Sequence, residues 1–221
     1  MAVRKWFEFS FPHSRKMSET LEPALLAFAA RRRGLRVLDV GAWFSPYEAM
    51  LAPYARQYVK LDIIPRKQLQ VVGAGEALPF TEGSFDLVLC TQVLEHVRQP
   101  FEVVGEMRRV LKPGGKVFLT THGIWMLHAA PHDYWRFVPD GFRQLFKGYA
   151  ALDILPQGGS WLALMQLLNL WVKSWHKPAF VPGRLWYLFR APFYVLPNLL
   201  SLLDRGDNTR LVQNYLVVAE K

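Results

Sequence analysis

Between Ser84 and Thr120 the chain reads SFDLVLCTQVLEHVRQPFEVVGEMRRVLKPGGKVFLT. The apolar run from Phe85 to Cys90 predicts a strand that is buried on both faces. Pro100 suits the first turn of a helix, where its missing N–H costs nothing. The following apolar residues recur at helical spacing and define one buried face: Val103, Val104, Met107, Val110 and Leu111. Pro113-Gly114-Gly115 should end this helix, and a further strand is predicted over 116–120.

Strands and helices alternate on both sides of this unit. Ser18 is the predicted N-cap of a first helix, which has Arg31 to Arg33 in its last turn and stops at Gly34. A later helix is predicted to start at the cap Asp140. The other predicted elements are strands at 35–40, 58–64, 71–72, 151–155 and 215–219 and a helix at 47–54. This alternation predicts an α/β fold with a doubly wound, mostly parallel sheet and right-handed crossovers.

Bulk composition limits the class of protein. A chain of 221 residues suits one α/β domain with an elaboration. The only cysteine, Cys90, excludes an intramolecular disulfide framework and fits a reducing compartment. Residues 1–16 are basic and aromatic without a continuous apolar stretch, so we expect no signal peptide and a cytoplasmic location. The net charge of +9 favours anionic partners.

Residues 156–205 form an apolar insertion before the last predicted strand. No Asp or Glu occurs from Ile154 to Leu203, whereas the span holds four tryptophans and several basic residues. Its apolar runs are too short or too interrupted for a simple membrane-spanning helix. Two compatible interpretations stay open: a segment lying on the anionic inner face of the cell membrane, or a lid packed over the active site.

The stretch from Ser84 to Thr120 resembles the central unit of the class I S-adenosylmethionine (SAM) dependent methyltransferases. That family carries an FD-x-V…LEH strand end and a RVLKPGG helix exit. Val37 to Gly41 resembles its opening motif, and Gly73 to Phe80 resembles its GDAEALPF run. The resemblance covers roughly residues 18–155 and the last strand. It implies one methyltransferase domain over 1–221 with an N-terminal extension at 1–17. It also implies seven strands with helices on both faces, an antiparallel last strand and SAM as cofactor.

The resemblance also places the cofactor at the carboxyl ends of the strands. Asp62 would accept bonds from the ribose hydroxyls, because a carboxylate offers paired acceptor oxygens. Trp43 stands where the family has a second glycine, and Ala74 replaces an aspartate that contacts adenine. The cofactor-binding residues implied by the resemblance are Asp39, Gly41, Ala42, Trp43, Asp62, Gly75, Glu76, Ala77, Thr91, Gln92 and Leu94.

Candidate catalytic residues lie after the fourth and fifth strands. His132 is adjacent to Asp133, a carboxylate that can orient an imidazole, and His122 and His96 are further candidate bases. For each histidine a packed structural role stays open. The spacing of the histidines fits no metal motif, so no metal is expected. The run PHDYWRF…PDGF resembles a subgroup of bacterial methyltransferases associated with surface-polysaccharide or glycolipid pathways.

The sequence therefore predicts a SAM-dependent methyltransferase acting on an O- or N-nucleophile of a small or amphiphilic acceptor, including lipid- or glycan-linked ones. The alternative is a degenerate methyltransferase fold that serves as a binding or assembly module, motivated by Trp43 and Ala74. Nucleic acid is not an expected partner, because the basic residues are scattered and no reader motif is present.

Overall fold

The computed structural model describes residues 6–221, which divide into two compact units. Unit 1 comprises residues 6–19, Gly123–Met126 and Pro156–Asn214. Unit 2 comprises Thr20–His122, Leu127–Leu155 and Tyr215–Lys221. Residues 1–5 of the predicted N-terminal extension lie outside the described residues.

A seven-stranded sheet has the strand order β3-β2-β1-β4-β5-β7-β6. Its strands are β1 (Leu35–Val40), β2 (Ala55–Asp62), β3 (Val71–Val72), β4 (Phe85–Thr91), β5 (Leu111–His122), β6 (Ala151–Pro156) and β7 (Asn214–Glu220). The pairs β1–β2, β1–β4, β2–β3 and β4–β5 are parallel. Lys221, just past β7, exchanges backbone hydrogen bonds with Gly114 and Gly115 near the start of β5. The last strand is therefore antiparallel to β5, which confirms the predicted sheet.

Seven α-helices are present in the described residues: α1 (Phe11–Ala29), α2 (Glu48–Leu51), α3 (Pro100–Val110), α4 (Pro139–Leu145), α5 (Ser160–Lys173), α6 (Gly183–Arg190) and α7 (Val195–Leu200). The predicted N-cap Ser18 is wrong, since α1 begins seven residues earlier, where the buried ring of Phe11 packs on Trp6. The predicted cap Asp140 is also wrong. Val138 occupies the cap position of α4, and Asp140 pairs with Arg143 in the first turns.

The junction between α3 and β5 differs from the prediction in one respect. The buried face of α3 is the predicted one and includes Val103, Val104, Met107 and Val110. The helix nevertheless ends at Val110, because Leu111 already has extended dihedral angles. Pro113-Gly114-Gly115 lies inside β5. The apolar spacing thus predicted the helix correctly, whereas the Pro-Gly-Gly run predicted its end too late in the chain.

The core of unit 2 forms where α1 and α2 cover one face of the sheet. Leu21, Leu25 and Phe28 of α1 belong to one buried apolar cluster with β1, β4, β5 and β7. Phe28 meets Phe118 of β5 edge-on, with ring centroids 5.8 Å apart. This packing holds the parallel strands in place and so positions their carboxyl ends.

Unit 1 contains α5, α6 and α7, and polar side chains of α5 and α7 are buried in it. Asn169 of α5 donates to the side chain of Asn198 of α7 at 2.7 Å. Gln166 donates to the Phe9 carbonyl at 3.0 Å. Among residues 6–221 there is no helix with both the length and the apolarity needed to cross a membrane.

We expect Met107→Ala to lower the free energy of unfolding by about 2–5 kcal/mol, because it leaves a cavity under α3. Met107 is fully buried, whereas Phe101 on the same helix is 63% exposed. Urea unfolding of both variants measures the difference, with Phe101→Ala as the matched control. Equal, small losses in both variants would show that α3 does not pack as described.

Candidate functional site

The carboxyl ends of three adjacent parallel strands lie at one edge of the sheet. Val40 at the end of β1 is paired with Leu61 of β2 and with Cys90 of β4. The next residue on each strand is Gly41, Asp62 and Thr91, so these three are brought side by side. In open parallel sheets this edge is where ligands bind.

Position 41 requires a glycine for two reasons: its backbone conformation and the close approach of Val93. Its φ is +74°, in the region that disfavours L side chains. A Cβ at this position would lie 2.2 Å from Cγ2 of Val93. The N–H groups of Gly41 and Ala42 both donate to the Leu61 carbonyl, at 2.8 and 3.0 Å. The turn after β1 is therefore tight and held against β2 and the segment after β4.

Two further predicted cofactor-binding residues lie at this edge: Trp43 in the turn after β1 and Asp62 at the end of β2. Asp62 is largely buried, and the Ile64 N–H donates to its Oδ1 at 3.0 Å. Ala42 is buried, whereas Trp43 is 44% exposed. The guanidinium of Arg66 lies 3.6 Å from the centroid of the Trp43 ring, a cation–π contact. The indole at the second-glycine position is thus held by Arg66 from the loop after β2.

Asp39, another predicted cofactor-binding residue, lies within β1, two residues before Gly41. Its Oδ2 accepts a hydrogen bond from the Tyr58 hydroxyl at 2.8 Å. Burial raises the pKa of Asp39 to about 6, opposed by the bonds from Tyr58 and Ser45. Asp39 is therefore a buried, hydrogen-bonded residue of β1 with a raised pKa.

The remaining predicted cofactor residues flank the same edge. Gln92 has a φ of +56°, and its side chain donates to the Thr120 hydroxyl at 3.0 Å. Leu94 is fully buried, so its side chain offers no surface to a ligand. Gly75 is buried, and a Cβ there would approach Val103 to 3.3 Å. Glu76 and Thr91 are half-buried and Ala77 is exposed.

The carboxylate of Glu95 occupies the centre of the polar network after β4. Glu95 is completely buried, and its Oε2 accepts a bond from the Thr121 hydroxyl at 2.7 Å. Its Oε1 lies 3.5 Å from Nε2 of the buried His122. Its backbone carbonyl accepts the N–H groups of Tyr134 and Trp135. Burial raises the pKa of Glu95, while the bond from Thr121 favours the charged form.

Asp133 pairs with His128, not with His132. Oδ2 of Asp133 lies 3.2 Å from Nδ1 of His128 and accepts the His128 N–H at 2.8 Å. Arg136 donates to both carboxylate oxygens, at 2.7 and 2.8 Å. These bonds hold the pKa of Asp133 well below its usual range. Asp133 is therefore a fixed anion that orients the imidazole of His128.

The predicted pairing of His132 with Asp133 is wrong. The ring of His132 is exposed, and its Nδ1 lies 2.9 Å from the Tyr134 hydroxyl. Sequence adjacency therefore did not bring the two side chains together. His132 takes part in the network through its carbonyl, which lies 2.6 Å from Nδ1 of His96.

The rings of His96, His122 and His128 lie close to one another. Together with Glu95, Asp133 and Arg136 we call them the histidine network. The ring centroid of His128 lies 4.8 Å from that of His96 and 5.4 Å from that of His122. One ligand atom from each of Glu95, His96 and His128 lies within 4.8 Å of the others. Two imidazoles and a carboxylate could hold a divalent cation. The same groups could equally accept a proton from a substrate.

A hollow of about 420 Å³ lies elsewhere in unit 2. It is lined by α1, β5, β6 and β7 side chains, including Phe28, Phe118 and Leu155. None of the predicted site residues lines it. We therefore assign the functional site to the edge at Gly41 and Asp62 and to the histidine network, not to this hollow.

Comparison with known proteins agrees with this geometry. Residues 38–119 match the family model of the methyltransferase domain. A ubiquinone biosynthesis O-methyltransferase of Xanthomonas oryzae pv. oryzae is 33% identical over 137 residues, which cover 54% of this chain and 56% of that protein. The chain thus spans little more than half the length of this curated relative.

Solved structures show the same fold. The phosphoethanolamine N-methyltransferase 2 of Haemonchus contortus, in complex with S-adenosyl-L-methionine, superposes with a TM-score of 0.61 at 16% identity, covering 91% of this chain and 52% of that one. The cyclase SpnF superposes with a TM-score of 0.57 at 15% identity, covering 91% and 80%. Residues 38–119 therefore match a methyltransferase domain, and the chain shares its fold with solved structures that include a SAM-bound methyltransferase.

Sequence reasoning did not select three members of the network as site residues. Glu95, His128 and Arg136 were left out, although each belongs to a run that was examined. The signal that could have found Arg136 is its spacing of three from Asp133, which suits an ion pair in a turn. Nothing in the sequence indicates that His128 folds back onto Asp133.

We expect Asp39 to make stability fall as pH rises from about 4 to about 6. The unfolded carboxyl ionises near 3.8 and the folded one near 6, so the folded state keeps its proton over this interval. Over this interval the loss amounts to about 2 kcal/mol. Urea midpoints of the wild type and Asp39→Asn measured at both ends of this range should diverge accordingly. A constant difference between the two proteins would contradict the raised pKa.

Proposed function

We propose that this protein transfers a methyl group from SAM to an oxygen or nitrogen nucleophile of a small or amphiphilic acceptor. The observation that carries the proposal is the alignment of Gly41, Asp62 and Thr91 at one edge of the sheet. The histidine network that follows β4 and β5 adds groups able to handle the proton of the acceptor.

The residues at the edge fit SAM. Asp62 presents a carboxylate at the end of β2, with only Oδ1 engaged by the Ile64 N–H in residues 6–221. A carboxylate in this position can accept hydrogen bonds from the ribose hydroxyls. Gly41 keeps the adjacent strand end free of a side chain. Thr91 and Gln92 would lie along the methionine part. When bound, SAM supplies an electrophilic methyl group on a sulfonium.

His128 is our candidate for the general base. With its Nδ1 directed at Asp133, the neutral ring carries its lone pair on Nε2. The nearby Asp133 anion, held by Arg136, stabilises the imidazolium that forms when Nε2 takes a proton. The ring is 29% exposed, so an acceptor can reach it, whereas His122 is nearly inaccessible. The buried residues His122 and Glu95 would then hold the other groups of the histidine network in place, and His96 would lie beside His128.

Two resemblances bear on the chemistry of the acceptor. The relative from Xanthomonas oryzae is named for ubiquinone biosynthesis, which favours a hydroxyl on an amphiphilic ring compound. The PHDYWRF run favours a lipid- or glycan-linked acceptor of surface-polysaccharide metabolism. Both are amphiphilic acceptors of the kind met at the inner face of a membrane. A screen of radiolabelled SAM against phenolic and glycolipid acceptors separates the two.

A second candidate function is a binding module without methyl transfer. The contact between Arg66 and Trp43 favours it, because the cation–π pair fills space beside the turn where the family carries a glycine. The absence of an acidic side chain at Ala74 points the same way. A catalytically silent protein would show no thermal shift and no heat of binding at millimolar SAM.

Asp62→Ala should weaken the binding of SAM or S-adenosylhomocysteine at least about tenfold, since hydrogen bonds to a charged group contribute about 1.5–3 kcal/mol. Isothermal titration calorimetry on the purified chain measures this loss. Asp140→Ala removes an exposed carboxylate from α4 and serves as the matched control. Unchanged affinity in Asp62→Ala would refute the ribose assignment.

His128→Ala should slow turnover by about 10²- to 10⁴-fold with cofactor affinity retained, as expected for loss of a general base. His132→Ala, which removes an exposed ring from the same loop, should have a much smaller effect. Single-turnover rates with and without a chelator distinguish a base from a cation ligand. If His132→Ala were the more damaging change, the base would be His132, as the sequence suggested.

A further inference from the structure

The helices of unit 1 expose an unusual amount of apolar surface. More than half of the large apolar side chains that are exposed in the described residues lie between Trp161 and Leu203. Trp171 is 62% exposed and Phe180 is 88% exposed. Large contiguous patches of this kind mark interaction sites in soluble proteins.

Helix α5 is apolar on its exposed face as well as on much of its buried face, which includes Leu162 and Leu170. Its exposed residues Trp161, Leu164, Leu168 and Trp171 recur every three or four positions and so share one face. Its two interior polar residues, Gln166 and Asn169, are fully buried. A helix that faces water usually carries polar side chains on its exposed face.

Exposed and half-buried rings of unit 1 form a connected series. Trp171 contacts Trp175, which contacts Phe193, with ring centroids 5.3 and 5.1 Å apart. Phe193 contacts Phe189 at 5.7 Å, and Phe189 stacks on Trp186 at 5.2 Å. The rings therefore form a rigid aromatic surface along the C-terminal end of α5 and α6. Tryptophan side chains favour the headgroup level of a bilayer.

Every formal charge in this part of the chain is positive. Lys173, Lys177, Arg184 and Arg190 lie among the exposed rings, and no Asp or Glu occurs from Ile154 to Leu203. Arg190 lies 5.6 Å from the Trp186 ring centroid and donates to the Lys173 carbonyl at 2.7 Å. A two-fold contact between copies of this surface would place like charges together with no acid to pair them. Anionic lipid headgroups supply the missing negative charge.

We propose that the exposed face of α5, together with α6 and α7, docks on an anionic lipid bilayer surface. The leucine and tryptophan side chains enter the interface, and the basic residues lie at the headgroups. This is binding to the surface alone, since the helices are too short to span. The surface needs neither SAM nor the histidine network, so docking is independent of methyl transfer.

Vesicle flotation with the purified full chain tests the proposal. Vesicles of phosphatidylcholine with phosphatidylglycerol should carry the protein upward, vesicles of phosphatidylcholine alone should carry much less, and added salt should release it. Leu164→Gln/Leu168→Gln should lower partitioning at least about tenfold through lost apolar burial. Arg184→Glu should lower it about fivefold or more, on anionic vesicles only.

Two matched variants outside the surface control for the substitutions themselves. Phe101→Gln changes an exposed ring on α3, and Arg56→Glu reverses an exposed charge on β2, and both should float like the wild type. Circular dichroism confirms that each variant folds. Absence of flotation on anionic vesicles, or equal flotation of all variants, would overturn the proposal. So would a dimer in light scattering that Leu164→Gln/Leu168→Gln dissociates, since the surface would then join two copies.

Discussion

Parallel pairing of β1 with β2 and β4 is the constraint on which the site depends. Backbone hydrogen bonds set the register that places Val40 beside Leu61 and Cys90, and so bring three strand ends to one edge. The turn at Gly41 is tight, because any side chain there would collide with Val93. Asp62 ends the neighbouring strand at the same edge. The location of the site follows from the sheet before any catalytic group is considered.

The buried carboxylate of Glu95 links the sheet to the loop that carries the histidines. Through its side chain it meets Thr121 and His122 at the end of β5. Through its carbonyl it accepts the N–H groups of Tyr134 and Trp135 from the loop. A fully buried acid is costly unless its oxygens are bonded, and the Thr121 hydroxyl bonds Oε2 of Glu95. The result is a loop held in place beside the strand ends, with an anion at Asp133 beside an accessible imidazole at His128.

The two units differ in the side chains that they bury and expose. Unit 2 buries apolar side chains between α1 and the sheet, as a water-soluble α/β domain does. Unit 1 buries amides such as Gln166 and Asn169 and exposes leucine and tryptophan. The exposed apolar face of unit 1 is the basis of the proposed docking on a lipid surface. The solved neighbours share the fold and include both a methyltransferase and a cyclase, so the fold alone does not define the reaction.

Local pattern was sufficient for the elements whose signals lie close together in the chain. The strand from Phe85 could be predicted because burial on both faces leaves a continuous apolar run. The buried face of α3 could be predicted from its helical spacing. The acid-free span before β7 was visible in the composition. Helix ends were less predictable: α1 extends past Ser18 because Phe11 packs in the interior, a contact that no capping rule contains. The pairing of Asp133 with His128 was decided by tertiary structure alone. Side-chain direction in an irregular loop depends on the groups that the rest of the fold brings to meet it, and here those are Glu95 and Arg136.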